Sequence, residues 1–312
     1  MSQLGNDPLY AIPATRALRR SRGRWRISAF VALAIAIVVG LVRFVPDMVA
    51  SPSYIARVEI SGTITTSNRR LEALKALAEN DAVEAVIVAI NSPGGTTAGG
   101  EEIYEALRAL ADAKPTIAII NEVGASAAYM TAIATDQIFA RRLSIIGSIG
   151  VLYRHVDAGR LLDTIGIDLD KVTSGILKAE PDVGGPMSPE VRESIAALVQ
   201  NSYGWFVDIV AERRDLSRAS VLAVADGRIM TGAMGVESGL IDQIGGQAEA
   251  IEWLAATYEI DAELPVHLHW PPPSRTDWIS VLLGEVAGQA LGIEIDGRMT
   301  LDGLVSVWHP SN

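Results

Sequence analysis

Apolar and polar positions change rhythm twice along the chain, dividing it into three parts. Ile27 to Val42 carries no charge, and Phe44 and Val45 extend the apolar run past Arg43. A helix needs roughly 20 apolar residues to cross a bilayer, so residues 27–45 read as a short but complete span, with Arg43 able to snorkel to the interface. Residues 1–26 ahead of it are polar and basic, with Arg16, Arg19, Arg20, Arg22, Arg24 and Arg26 close together. From Tyr54 to Tyr258 the pattern alternates between strands and helices. Pro271-Pro272-Pro273 then marks a break. In residues 271–312 beyond it, Trp278 to Leu291 reads as a helix apolar on one side, suited to packing, to a membrane surface or to a partner.

Within the middle part, Ile55 to Ile60 reads as a strand and Arg69 to Glu79 as an amphipathic helix. Ala85 to Ile90 is a continuous apolar run, as expected of a strand buried on both faces. A helix over Glu101 to Ala113 and a strand over Thr116 to Ile120 follow, then a small-residue turn and a helix-prone segment from Ala127 to Ala134. Gln137 to Ala140 and Ser148 to Leu152 read as short strands, Val156 to Ile165 as a helix and Leu169 to Thr173 as a strand. Pro189 to Arg214 predicts one long helix with Ser188 as its N-cap and Pro189 in its first turn. Short helices over Ser217 to Val224 and Thr231 to Ser238 and a closing helix over Gln247 to Tyr258 complete the pattern. Alternation of this kind predicts an α/β domain with a mostly parallel sheet over residues 54–258.

Charge changes the picture of the N-terminal part. The chain carries a net charge of −11, yet residues 1–50 carry seven arginines against Asp7 and Asp47. A basic run before an apolar span and acidic excess after it predict a cytoplasmic N-terminus and a domain on the far side of the membrane. A cleaved signal peptide is the competing reading; the long basic region and Pro52, just after the small-residue site Met48-Val49-Ala50, favour a retained anchor. The acidic balance argues against a nucleic-acid partner. With no cysteine and four scattered histidines, neither a disulfide framework nor a metal centre is expected, and no cofactor is implied.

Lysine is scarce: Lys75, Lys114, Lys171 and Lys178 stand against 22 arginines. Arginine stays protonated, whereas a desolvated lysine can lose its proton and act as a base. Ser126 sits where a strand gives way to a helix. Such a turn lifts a serine clear of the sheet and aims the N–H groups of the helix start into the same space. Three further stretches lie at predicted strand ends. Asn91-Ser92-Pro93-Gly94-Gly95 lets the backbone approach a ligand closely, Gly147-Ser148-Ile149-Gly150-Val151 could pair with an extended peptide, and Ser174-Gly175-Ile176-Leu177-Lys178 places a lysine after two apolar residues. Taken singly, each is also an ordinary turn.

The order of these motifs, followed by Asp226-Gly227-Arg228 and Gly239-Leu240-Ile241-Asp242, resembles signal peptide peptidase A, the short bacterial form of the S49 serine peptidases, over about residues 54–258. The resemblance implies a fold like those of Clp protease and crotonase. It implies Ser126 as nucleophile, Lys178 as general base and Ser148 as the group orienting the lysine. Backbone N–H groups of Gly95 and Ala127 would form the oxyanion hole, with Gly147, Ile149 and Gly150 pairing to the substrate strand. It further implies homo-oligomers whose active sites are shared between protomers, hydrophobic peptides such as remnant signal peptides as substrates, and a bacterial inner membrane location with a periplasmic catalytic domain. Ala127 and Ala128 stand where the family usually has glycines, so two methyl groups are expected to crowd the turn. Ala179-Glu180-Pro181 also departs from the usual continuation after the lysine, which puts Glu180 close to Lys178 in sequence.

Other arrangements are compatible with the residues. His155 and Asp157 allow a Ser–His–Asp site on the same fold. A crotonase-like enzyme acting on acyl thioesters and a non-catalytic membrane scaffold are rivals from other classes.

Overall fold

A computed structural model of the chain describes residues 29–36, 52–271 and 305–307. Residues 29–36 form a helix, α1, with Phe30, Val31, Leu33 and Ile35 exposed. The rest of the span expected over 27–45 lies outside the described residues, as does Trp278 to Leu291. Among the described residues no helix is long and apolar enough to cross a membrane.

The remaining described residues follow the predicted alternation. β1 (Tyr54–Ser61), α2 (Asn68–Glu79), β2 (Val83–Ser92), β3 (Gly94–Thr96), α3 (Thr97–Ala111), β4 (Thr116–Ala125), α4 (Ala127–Ile133), β5 (Gln137–Ala140) and β6 (Ile145–Gly147) come first. Then follow α5 (Gly159–Ile165), α6 (Pro189–Arg214), α7 (Arg218–Leu222), β7 (Ile229–Thr231), α8 (Gly232–Glu237), β8 (Gln243–Ile244), α9 (Gln247–Tyr258), β9 (Val266–Trp270) and β10 (Val305–Val307). The main sheet runs β7-β6-β4-β2-β1-β9, with β5 also on β4 and β8 on β5. Every pairing in it is parallel except β6 with β7. This is the α/β architecture expected from the sequence.

Side chains of successive strand residues point to opposite faces, so a strand covered on both sides must be apolar throughout. On one face Ile55, Ala85, Ile87, Ile117, Ile119 and Phe139 pack against Ala250 and Leu254 of α9. On the other, Val58, Val86, Val88, Ala118 and Ile120 meet α2, α3, α4 and the second half of α6.

Three expectations are corrected. β4 does not end at Ile120. Its register against β2 shifts between Ile90 and Ser92, and Asn91 Oδ1 accepts from the Val123 N–H at 3.2 Å, so the polar Asn121 and Glu122 are an irregularity within a strand that continues to Ala125. The strand read over Ser148 to Leu152 lies instead at Ile145–Gly147, because Ser148 takes a left-handed φ of 49° that ends the extended run. Leu169 to Thr173 forms no strand; its residues are exposed and no neighbouring strand offers them a ladder.

Candidate active site

Ser126 is the turning point between β4 and α4. Its φ of 59° and ψ of −122° lie outside the wells open to most L-residues, a conformation that costs of order 1–3 kcal/mol and persists only where the surroundings impose it. They do so here: its N–H donates to the Gly147 carbonyl at 2.8 Å, and its own carbonyl accepts from Tyr129 and Met130. The twist also takes the hydroxyl off its helix. Ser67, Thr96, Ser188, Ser217 and Thr231 each accept a capping hydrogen bond from the helix they precede, whereas Ser126 does not. This backbone gives up the cap.

The helix behind Ser126 is fixed from the far end of the domain. Tyr129 donates its hydroxyl to the Leu240 carbonyl at 2.8 Å, and complete burial pushes its phenol above the ordinary range. Asp242 accepts from the Ile138 N–H and from Arg214, which ties the Gly239–Asp242 turn to β5 and α6. The second family motif outside the site is thus a brace for the serine helix.

The Asp226-Gly227-Arg228 motif performs the same task for Ser148. Gly227 N–H donates to the Ile149 carbonyl and Ser148 N–H to the Arg228 carbonyl at 2.7 Å, while Gly147 pairs with Ile229. Gly147 also accepts from Ser126, so both edges are occupied at Gly147, and Ser148, nearly buried, is held beside the serine turn. Asp226 closes the turn by accepting from the Arg228 N–H, Nε and Nη2, and these bonds pull its carboxyl down to about 2. A depressed carboxyl stabilises the fold above its ordinary value of 3.8 and loses that contribution as pH falls toward about 2. A carbon-13 carboxyl titration of Asp226 is therefore expected to show a midpoint near about 2. An unshifted midpoint would mean that the Arg228 contact does not persist in solution.

β3 forms the opposite wall. Its Gly94 carbonyl accepts from Ile64 N–H and its Thr96 N–H donates to the Ile64 carbonyl, both at 2.9 Å. The backbones are so close that a Cβ on Gly95 would stand 1.8 Å from the Ile64 oxygen. Arg70 steadies this loop by donating to the Thr65 carbonyl at 2.7 Å and to Glu102, whose carboxylate also accepts the Ser67 N–H. Ser92 Oγ bonds the Gly62 carbonyl at 2.6 Å and receives the Gly94 N–H. Nothing in the sequence marked Ile64 or Arg70; the glycine pair was the only visible sign of a close approach there.

The first turns of α3 and α4 lie together. A Cβ on Gly100 would meet the Ala127 methyl at 3.0 Å and the Met130 sulfur at 2.7 Å. Ala127 and Ala128 are completely buried in the core. The expectation that their methyls crowd the turn is therefore corrected for Ala127, since the missing side chain of Gly100 makes room for its methyl.

Ser126, Ala127, Ser148 and Gly95 thus share one region at the carboxyl ends of β2, β4 and β6. Lys178 does not join them within one chain. It lies exposed on the loop after α5, and its side chain bonds to no described residue. The other lysines are committed: Lys75 to Glu79, Lys114 to the Asn80 and Val83 carbonyls, and Lys171 to Asp182 and Glu180, both at 2.6 Å. Hydrogen bonds to Asp182 and Glu180 raise the Lys171 pKa, so that lysine stays charged, and Glu180 is turned to Lys171. His155 contacts the Gly185 carbonyl and Asp157 accepts the Gly159 N–H, so neither is bonded to the other or to Ser126.

A strained serine at a strand-to-helix turn, with glycine-rich backbone beside it, defines a serine hydrolase on a Clp-like α/β sheet. The sequence profile described as Peptidase family S49 matches residues 108–261, and that described as Clp protease matches residues 55–146. The chain is 34% identical over 220 residues to "Putative protease slr0021" of Synechocystis sp., covering 70% of this chain and 79% of that one. It is 30% identical over 238 residues to "Serine protease SPPA, chloroplastic" of Arabidopsis thaliana, covering 73% of this chain and 34% of that one. To "Putative signal peptide peptidase SppA" of Enterococcus faecium it is 34% identical over 188 residues, covering 59% and 54%. The chain belongs to peptidase family S49 and is a serine peptidase.

Proposed function

We propose that this chain is a membrane-anchored endopeptidase in which Ser126 and Lys178 form a dyad completed by a neighbouring copy. Its substrates are remnant signal peptides and other hydrophobic peptides. The observation that carries the dyad is a buried serine held at a strained strand-to-helix turn, together with an exposed lysine whose side chain bonds no described residue. Serine needs an adjacent base, and lysine serves as one only when desolvation lowers its pKa toward working pH. Within a single chain Lys178 is exposed. Leu169, Val172, Ile176, Leu177 and Val183 are exposed on the same loop, an apolar surroundings that a second copy would cover, drying the amine as it reaches Ser126.

In the assembled site Ser126 Oγ attacks the peptide carbonyl while Lys178 Nζ takes its proton, with Ser148 orienting the amine. The N–H groups of Gly95 and Ala127 receive the charge on the carbonyl oxygen. Lysine returns the proton to the leaving amine, and water resolves the acyl-enzyme by the same route reversed. The apolar run at residues 27–45 would hold the domain at the far face of the inner membrane, where such peptides lie.

Fluorophosphonate labelling and peptide hydrolysis test the dyad. Both are expected to vanish in Ser126→Ala and to fall by at least about 10² in Lys178→Ala, the scale of a lost general base. Co-assembling the two inactive variants is expected to restore part of the activity, because some sites then receive an intact serine and an intact lysine. Full activity of Lys178→Ala would overturn the dyad, and absence of complementation the sharing.

A further inference from the structure

Arg70 and Glu102 form an ion pair between α2 and α3 at a place where such a pair adds little stability. Their side chains are only 9% and 17% exposed. Burial lowers the Arg70 pKa, and its Nε has no hydrogen-bond partner among the described residues. Taking two charges out of water is offset only when their hydrogen bonds are well satisfied, and an orphaned buried N–H adds a cost of its own. Leu74 and Leu77 of α2 and Ile103 and Leu107 of α3 already lie in one apolar core. An apolar pair of similar volume would pack beside them as well or better. What it could not do is bind backbone.

Arg70 Nη2 donates to the Thr65 carbonyl at 2.7 Å and to Glu102 Oε1 at 3.1 Å, and the same oxygen accepts the Ser67 N–H at 2.8 Å. Glu102 stands in α3, whose N-cap Thr96 is the last residue of β3. Thr65 also lies against the first turn of α3, since a Cβ on Gly99 would stand 2.8 Å from its Cα. Residues 65–67 are thus pinned to α3. Ile64, next along the chain, bonds Gly94 and Thr96 on either side of Gly95. The place of the Gly95 N–H follows from that of Ile64, and Ile64 is placed by the pair.

We infer that Arg70 and Glu102 are positioning residues for peptide hydrolysis, holding residues 64–67 on α3 so that the Gly95 N–H keeps its place in the oxyanion hole. The inference rests on the proposed role of Gly95. Both side chains act through the backbone of Ile64, not on the reacting atoms. An oxyanion donor favours charge present only in the transition states of acylation and deacylation, so a displaced N–H lowers kcat and leaves KM nearly unchanged. Ser92 Oγ still receives the Gly94 N–H at 3.1 Å, so losing the pair shifts β3 without freeing it. The loss is then smaller than removal of the donor, about 10–10² against about 10²–10³.

Two variants of the full chain separate positioning from stability. Arg70→Met with Glu102→Leu removes both charges at similar volume. Glu102→Gln keeps an oxygen acceptor for Ser67 and Arg70 but leaves the buried guanidinium uncompensated. The apolar pair is expected to unfold at the wild-type denaturant concentration or above it, and Glu102→Gln below it. Hydrolysis of a fluorogenic apolar peptide amide is expected to rank them the other way. In the apolar pair kcat falls by about 10–10², in Glu102→Gln by less than about threefold, with KM within about twofold in both. The less stable variant is then the more active one, an order that a purely structural pair would not give. Wild-type kcat in the apolar pair, a loss of kcat that follows loss of stability, or an apolar pair that does not fold would each overturn the inference. Gly95→Ala reports on the proposed role of Gly95 itself. Full activity there removes that role, whereas an impaired Gly95→Ala beside an apolar pair with wild-type kcat removes only the positioning by Arg70 and Glu102.

Discussion

Replacing Ser126 with glycine is expected to abolish peptide hydrolysis and yet to leave a more stable protein than replacing it with alanine. Both substitutions remove the nucleophile, for which a loss on the order of 10⁶ in kcat is the scale set by other serine peptidases. They differ in what they do to the backbone. Alanine retains the Cβ that makes φ 59° and ψ −122° unfavourable; glycine does not. Against the relief of about 1–3 kcal/mol stand a buried methyl worth ~0.8 kcal/mol and the extra freedom glycine gives the unfolded chain, about 0.4–1 kcal/mol. Because ψ −122° falls outside even the left-handed well, relief at the upper end of that range is expected, for a net gain of about 1–2 kcal/mol. Denaturant unfolding of the two variants checks this. An alanine variant more stable than the glycine one by about 1–2 kcal/mol, the sum of those opposing terms, would mean that the turn is not strained, and the account of why Ser126 fails to cap its helix would lose its basis.

Gly95→Ala is expected to lower kcat/KM by at least 10²–10³, the scale of one oxyanion donor, and to cost a further ~1–3 kcal/mol of stability. The added methyl would stand 1.8 Å from the Ile64 carbonyl oxygen. Ile64 cannot simply retreat, because it is bonded to Gly94 and Thr96, and its neighbour Thr65 is held by Arg70. β3 must therefore move, and the Gly95 N–H moves with it. Gly204→Ala is the matched control. A Cβ there meets nothing within 4 Å, and in the middle of α6 alanine should gain up to ~1 kcal/mol in helix propensity. Wild-type activity in Gly95→Ala, beside a folded Gly204→Ala, would exclude β3 from the chemistry.

Legibility in the sequence followed physical range. α6 and α9 have the bounds that periodicity and capping residues predicted, because a helix is written in contacts three and four residues apart. β2 was visible because burial on both faces demands an unbroken apolar run. β3 was not: three residues of glycine and threonine become a strand only because Ile64, thirty residues earlier, lies alongside. β10 depends on β3 in turn and carries no signal of its own beyond two valines. The extension of β4 beyond Ile120 was hidden by Asn121 and Glu122, which read as a turn and are tolerated because the register shifts around them. At the candidate site, family resemblance gave residue identities, and the structure supplied causes: the Arg228 carbonyl under Ser148, the Leu240 carbonyl under Tyr129, and Gly100 accommodating Ala127.

Not one of residues 150–190 is buried, although Lys178 lies among them. The core closes without this segment, so its sequence is spared the volume constraints that govern Ser126 and Gly95. Insertions, deletions or wholesale exchange in it should leave the sheet untouched. Sequence variation can therefore accumulate on this stretch while the fold around Ser126 stays fixed, and a designer could graft the segment from one relative to another without redesigning the core.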